Sequence, residues 1–137
     1  MAPWVYDPHA GGVKIPERIK EDTRRRLLAH AEKHYAGRYT RIDIRFKGPF
    51  CYIDAYREPA APAGRWTDKT ETREQFLQRL RNTPTHLCRL RHFAADRWSV
   101  AFYTYSHETY EPTFLPSGEA EGTPEEGFDV GAVYLTD

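Results

Sequence analysis

The sequence predicts a single α+β domain in which helices cover one face of an antiparallel sheet of four to five strands. Three observations support this prediction. The strand-like segments alternate apolar and polar residues, so each strand has only one side to bury. Consecutive strands are joined by short turns, which favours antiparallel pairing. Helical patterns stand before, between and after the strands, in the order α-ββ-α-βββ-α.

The chain opens with a predicted irregular N-terminal arm, residues 1–14, which contains the breakers Pro3, Pro8, Gly11 and Gly12. A long helix is expected from about residue 16 to residue 36, because proline is tolerated in a first helical turn and Gly37 supplies a stop. Its apolar residues recur at helical spacing. They are Ile19, Leu27, Leu28, Ala31 and Tyr35.

A β-hairpin follows the long helix. Residues 39–46 alternate strictly, and residues 50–56 alternate in the same way after the turn residues 47–49. A loop rich in Pro and Ala, residues 57–70, separates this hairpin from the rest of the sheet. Further strands are predicted at residues 86–93, at residues 98–105 and near residues 109–115.

Two sequence signals mark the starts of the other helices. Thr72 and Thr123 each stand three residues before Gln or Glu, which is the pattern of a capping box. The first signal predicts a short helix that ends before Pro84, and the second predicts a final helix that runs to about Leu135. Small residues four apart on the final helix allow a close neighbour, either this chain's own sheet or a second copy.

Composition and charge limit the function classes. The 137 residues suit one domain, residues 1–137, that needs no staples to bury a core. No apolar run approaches the roughly 20 residues that cross a bilayer, so no membrane role is expected. The N-terminus resembles no secretory signal, and a cytoplasmic location is expected by default. Cys51 and Cys88, both on core-facing positions, are predicted to be buried free thiols.

Outward-facing residues of the predicted strands form a surface of arginines, tyrosines and aspartates. Arginine forks bind phosphate or carboxylate, and tyrosine rings stack on bases or sugars. The candidate ligand-binding residues are Arg41, Arg45, Tyr52, Tyr56, Arg89, Arg91, Tyr103 and Tyr105. Ordinary cross-strand pairing on a solvated face explains the same composition. Burial of this surface by the N-terminal arm or by a second subunit is a third interpretation.

The histidines and aspartates raise two chemical questions. His30 and His34 lie four residues apart on the first helix, and His86, Cys88 and His92 are expected on the core side of a strand. Solvated or packed side chains are favoured in both cases, so neither a metal nor another cofactor is predicted. An acid–base site would use His107 with Asp54 or Asp43, but sequence spacing does not determine their mutual geometry.

Charge is strongly segregated although the net charge is zero. Residues 1–47 hold eleven Lys or Arg and six Asp or Glu, whereas residues 98–137 hold eight Asp or Glu and no Lys or Arg. The acidic segment either folds over the basic residues of the same chain or meets a basic partner through Glu119, Glu121 and Glu125. Overall neutrality argues against strong non-specific binding to duplex DNA.

Three functional hypotheses follow, and whether the chain is an enzyme is left open. The first is a binding or regulatory module that uses the Arg/Tyr surface for a nucleic acid, a phosphorylated small molecule or an acidic partner. The second is a small hydrolase or nuclease with a His/Asp acid–base site. The third is a protein-interaction module that acts through the acidic C-terminal segment. The sequence leaves both a protein partner and a homodimer open.

Overall fold

A computed structural model describes residues 11–136. Within that range lie three α-helices, one short 3-10 helix and five strands. In chain order they are α1 (Glu17–Tyr35), β1 (Arg41–Lys47), β2 (Phe50–Tyr56), α2 (Arg73–Arg81), β3 (Thr85–Ala94), β4 (Arg97–Thr104), β5 (Thr109–Thr113), α3 (Pro124–Gly131) and the 3-10 helix (Ala132–Leu135).

All five strands form one sheet in the order β1-β2-β3-β4-β5, and every neighbouring pair is antiparallel. The predicted α+β class and the order α-ββ-α-βββ-α are therefore confirmed. Tight turns join β1 to β2 and β3 to β4, as the short links between these strands in the sequence indicated. The final α-helix ends at Gly131, and the last turn before Leu135 winds as a 3-10 helix instead.

One face of the sheet carries the hydrophobic core. Helix α1 buries Thr23, Leu27 and Ala31, four residues apart on one side of the helix, beside β1 and α3. Helix α3 packs on β3 and β4. The strands contribute buried apolar residues at alternate positions. They include Ile42, Ile44, Cys51, Ile53, Cys88, Leu90, Trp98 and Val100.

Two glycines bring α3 close to β3. A Cβ atom at Gly131 would lie 2.8 Å from the backbone C and O atoms of Leu87, and a Cβ at Gly127 would lie 2.4 Å from a methyl carbon of Leu90. The stripe of small residues therefore accommodates this chain's own sheet, which was the first of the two neighbours that the sequence allowed.

Both capping boxes are present. The Thr72 and Thr123 hydroxyls each accept a hydrogen bond from the backbone N–H three residues later. The side-chain oxygens of Gln75 and Glu126 in turn accept one from the backbone N–H of the cap residue. Helix α2 has no fully buried residue. It rests on the preceding loop, where the rings of Trp66 and Phe76 have centroids 5.1 Å apart.

Both cysteines are buried and free, as predicted. Burial raises the pKa of each thiol far above its ordinary value, because a thiolate would lose its solvation there. They act as small apolar residues of the core.

The C-terminal acidic segment folds against basic residues of the same chain. Arg26 contacts Glu125 at 2.8 Å, Arg97 contacts Glu121 at 2.8 Å, and Asp129 lies 2.7 Å from His30 Nε2. These contacts correspond to the self-complementary interpretation of the charge segregation.

The last part of the predicted N-terminal arm runs beside the sheet. The Val13 N–H donates to the His92 carbonyl at 2.7 Å, and the Ile15 N–H donates to the Gly48 carbonyl at 3.2 Å. The rest of the predicted arm, residues 1–10, lies outside the described residues. Between residues 11 and 136, no helix is long and apolar enough to cross a membrane.

Candidate functional site

The sheet face opposite α1 and α3 carries most of the side chains that the sequence singled out, and we call it the polar face. Cross-strand register assigns its members. They include Arg41, Asp43 and Arg45 of β1; Phe50, Tyr52, Asp54 and Tyr56 of β2; His86, Arg89 and Arg91 of β3; Ser99, Ala101 and Tyr103 of β4; and Tyr110 and Pro112 of β5.

All four arginines of the polar face lie over aromatic rings, and Arg41 and Arg89 lie closest to theirs. The guanidinium carbon of Arg41 is 4.1 Å from the centroid of the Tyr56 ring. That of Arg89 is 4.4 Å from the Phe50 ring and 5.6 Å from the Tyr110 ring. Within residues 11–136, neither arginine forms an ion pair with a carboxylate. Stacking holds each fork in place and leaves its N–H edge able to bind an anion.

Tyrosine rings fill the middle of the polar face. The Tyr110 ring has its centroid 5.6 Å from the Tyr52 ring and 5.1 Å from the Tyr103 ring, both edge to face. Burial, and next the negative charge of Asp54, raise the pKa of the Tyr110 phenol. The phenol therefore stays protonated at neutral pH and can donate a hydrogen bond to an acceptor.

A buried carboxylate lies among these rings. The Asp54 side chain is 5% exposed. Its Oδ2 accepts a hydrogen bond from Arg45 Nη2 at 3.1 Å, and its Oδ1 lies 2.8 Å from His86 Nδ1. Each carboxylate oxygen thus has a partner, which is what a buried charge requires. In the part of the chain that the structure describes, His86 Nε2 has no hydrogen-bond partner.

The prediction that His86 faces the core with Cys88 and His92 is wrong for His86. Ile53 pairs with Cys88, but Asp54 pairs with His86, so Leu87 is an extra residue in β3. This β-bulge reverses the alternation, and His86 turns to the polar face. Cys88 stays in the core.

His92 remains on the buried side of β3. It is 5% exposed, and its ring lies 4.7 Å from the ring of Trp98, measured between centroids. Its Nδ1 is 3.1 Å from the Val13 carbonyl oxygen.

Tyr105 lies one residue beyond the end of β4, at the same end of the sheet as His86. The backbone N–H of His86 donates to the Tyr105 hydroxyl oxygen at 2.7 Å. The side chain of Tyr105 therefore holds the backbone of the bulge in position, a role that its place in the sequence did not indicate.

Arg91 belongs to the polar face by register but is only 3% exposed. A Cβ at Gly12 would lie 2.9 Å from Arg91 Cγ, which places this side chain beneath the end of the arm. Burial by the arm, the third interpretation of the polar surface, therefore applies at Arg91.

The three residues of the predicted acid–base group take different partners. His107 is in the β4–β5 turn with its side chain 69% exposed, and its Nδ1 lies 2.7 Å from Glu111 Oε1. That hydrogen bond lowers the pKa of Glu111. Asp43 is 3.6 Å from Arg45 Nε, whereas Asp54 joins His86.

The sequence reasoning missed five of the members named above: Phe50, Tyr110, His86, Ser99 and Pro112. Phe50 alternates with Tyr52, so the pattern already contained it. Tyr110 needed the register of β5, which pairs it with Tyr103. No residue pattern announces the bulge that brings His86 to this face.

In the histidine pair of α1, His30 has partners within the same chain. His30 Nε2 lies 2.7 Å from Asp129 Oδ1, an oxygen that also accepts a hydrogen bond from the Tyr35 hydroxyl at 2.7 Å. Residues 11–136 hold no group of three His, Cys, Asp or Glu side chains placed to bind a metal ion.

Comparisons of the chain with models of protein families, with curated proteins and with solved structures each gave no match.

Proposed function

We propose that the polar face binds single-stranded nucleic acid. The observation that carries the proposal is the state of Arg41 and Arg89. Each guanidinium is stacked on an aromatic ring and, within residues 11–136, has no carboxylate partner. A guanidinium fixed beside aromatic rings can bind a phosphate while the rings stack on bases, and phosphates and bases alternate along a single strand.

The shape of the polar face favours a polymer over an enclosed small ligand. A cavity lined by Arg89, Ser99, Ala101 and Pro112, among others, has a volume of about 10 Å³. That space holds one water molecule at most. A second cavity, lined by Arg41 and Tyr56 among others, has a volume of about 260 Å³, which is still below the roughly 300 Å³ or more of pockets that enclose small ligands. A strand lying across the face needs no such pocket, because its bases stack on exposed parts of the rings.

The acidic segment is less suited to a binding role. Glu121 and Glu125 already contact Arg97 and Arg26 of the same chain. A basic partner would have to displace these ion pairs before it gained contacts of its own, and this exchange lowers the net gain.

The test is fluorescence anisotropy with a labelled 12-nucleotide RNA of mixed sequence. The double variant Arg41→Gln, Arg89→Gln removes two phosphate-binding charges, and we expect its affinity to fall by about tenfold or more with a shallower salt dependence. The matched control is Arg18→Gln with Arg38→Gln, which removes the same charge from exposed positions outside the polar face.

If the control variant binds RNA within about twofold of the wild type, the loss in the Arg41/Arg89 variant is due to the polar face and not to the change in net charge. Equal losses in both pairs, or no loss in either, would show that the polar face is not the binding site. A nucleoside triphosphate added as competitor should displace the RNA only weakly, since it offers one stacking surface.

A further inference from the structure

The Asp54–His86 pair at the β2–β3 bulge has the arrangement of a general base. Asp54 is held in the sheet and contacts His86 Nδ1 at 2.8 Å, so the carboxylate fixes the ring orientation and favours a proton on Nδ1. The other ring nitrogen, Nε2, is then the acceptor. The His86 side chain is 33% exposed, and among the described residues Nε2 has no hydrogen-bond partner.

Neighbouring groups hold this pair rigidly. Arg45 binds the second oxygen of Asp54 at 3.1 Å, and the Tyr105 hydroxyl accepts from the His86 backbone N–H at 2.7 Å. The His86 and Tyr103 rings have centroids 4.8 Å apart. A side chain restrained at its backbone, at one ring nitrogen and along its ring is prepared for one position of a bound group. Arg45 also adds a positive charge two hydrogen bonds from the imidazole.

The other side chains limit which nucleophile a reaction on the polar face could use. Both cysteines lie in the core, where burial suppresses the thiolate. The described residues offer proton transfer and positive charge, but no thiol nucleophile on this face. A substrate that brings its own nucleophile fits these groups best. The 2′-hydroxyl of RNA is such a nucleophile, and its position beside the phosphorus gives it a high effective concentration.

We propose that the Asp54–His86 pair cleaves RNA that is bound on the polar face, with His86 as the general base. His86 Nε2 takes the proton of a 2′-hydroxyl while the 2′-oxygen bonds to the adjacent phosphorus. The bond between phosphorus and the 5′-oxygen breaks, and the 5′-oxygen takes a proton from water. The imidazolium returns its proton to the hydroxide that remains. The products are a 2′,3′-cyclic phosphate and a 5′-hydroxyl.

In this proposal Arg45 stabilises the negative charge on the phosphate in the transition state. Asp54 is a positioning residue that acts through His86. The inference rests on nucleic-acid binding by the polar face, and the two proposals are tested separately by measuring binding and cleavage on one RNA.

The experiment incubates the full chain with a 5′-labelled 12-nucleotide RNA and with the deoxyribose version of the same sequence, with products resolved on a gel. Wild type is expected to cleave the RNA and leave the DNA intact. At RNA concentrations that saturate each variant, His86→Gln should cleave the RNA at least a hundredfold more slowly than wild type, the size of a general-base contribution. Asp54→Asn should cleave slowly and shift the pH profile.

A second variant separates proton transfer from a structural role. Added imidazole should restore cleavage to His86→Gly in proportion to its concentration, and it should not speed up His86→Gln, in which the space is filled. A merely structural histidine would not respond in this way. Thermal melts establish that each variant is folded before its rate is compared.

The outcomes are distinct. Binding of RNA without cleavage overturns the cleavage proposal and leaves the proposed function standing, whereas absence of binding removes both. Equal cleavage of RNA and DNA excludes the 2′-hydroxyl as nucleophile. Cleavage by His86→Gln at the wild-type rate, after identical purification, assigns the activity to another residue or to a contaminant and also overturns the proposal.

Discussion

Asp54 Oδ1 lies 2.8 Å from His86 Nδ1, across a bulge that no alternation pattern in the sequence reveals. The carboxylate is almost completely buried, on the face of the sheet that carries polar residues rather than the core. This contact organises the centre of the polar face, because Asp54 also holds Arg45 and its charge reaches Tyr110.

We expect Asp54→Ala to lower the free energy of unfolding by about 1–3 kcal/mol, since two hydrogen bonds to a buried carboxylate are lost. The loss stays below that of a fully buried ion pair because Arg45, with its side chain 54% exposed, can turn toward water. Urea denaturation measures the change. Asp43→Ala on the neighbouring strand is the control and should cost less than about 0.5 kcal/mol; similar losses in both variants would contradict the special role of Asp54.

Substituting the glycines of α3 should have unequal effects. In Gly131→Ala the new methyl meets the backbone of Leu87 at 2.8 Å, which cannot move without shifting β3, and we expect a loss of about 1–3 kcal/mol. In Gly127→Ala it meets a methyl end of Leu90, which can change rotamer, so the helix propensity of alanine offsets more of the cost. Thermal denaturation of both variants checks the order, and the reverse order would refute this account of α3 packing.

Two equivalent caps should differ in their global effect. Thr123→Ala removes the cap of α3, which is packed on the sheet, and should reduce global stability by about 1 kcal/mol. Thr72→Ala removes the same contacts from α2, which has no buried residue, so the helix should open locally while the melting temperature barely changes. Hydrogen exchange of α2 amides detects that opening. A fall in melting temperature as large as that of Thr123→Ala would place α2 inside the cooperative unit.

Stability should decline at alkaline pH in part through Tyr35. Burial, and next its hydrogen bond to Asp129, raise the pKa of this phenol to about 12. The folded chain therefore holds the phenol proton of Tyr35 more tightly than the unfolded chain, in which tyrosine titrates at about pH 10. This contribution is complete below about pH 10 and is lost as the pH rises toward about 12.

The variant Tyr35→Phe isolates that contribution. Wild type should exceed Tyr35→Phe in the free energy of unfolding at pH 8, where the hydrogen bond to Asp129 is intact, and the difference should shrink as the pH rises from about 10 to about 12. Denaturation midpoints at several pH values measure it. A difference that stays constant over this range would mean that Tyr35 does not titrate with folding.

The sequence by itself determined the features that depend on local chemistry. Strict alternation in residues 39–46 and 50–56 indicated two strands with one buried side each, and the two capping boxes marked the starts of α2 and α3. The positions of Arg45, Tyr52 and Arg89 on one face also followed from alternation. These features are readable because side-chain direction in a strand and hydrogen bonding at a helix start depend on residues only one to four positions apart.

Tertiary structure alone decided which of these residues meet. Leu87 enters β3 as an extra residue and turns His86 toward Asp54, although the two are 32 positions apart in sequence. Pairing of β5 with β4 brings Tyr110 beside Tyr103, and folding of the acidic segment places Glu125 on Arg26. Such contacts depend on strand register and on helix packing across the whole chain. The folded chain has to pair its buried charges and fill its core at the same time. Both requirements depend on residues far apart in sequence, so no short window of sequence determines them.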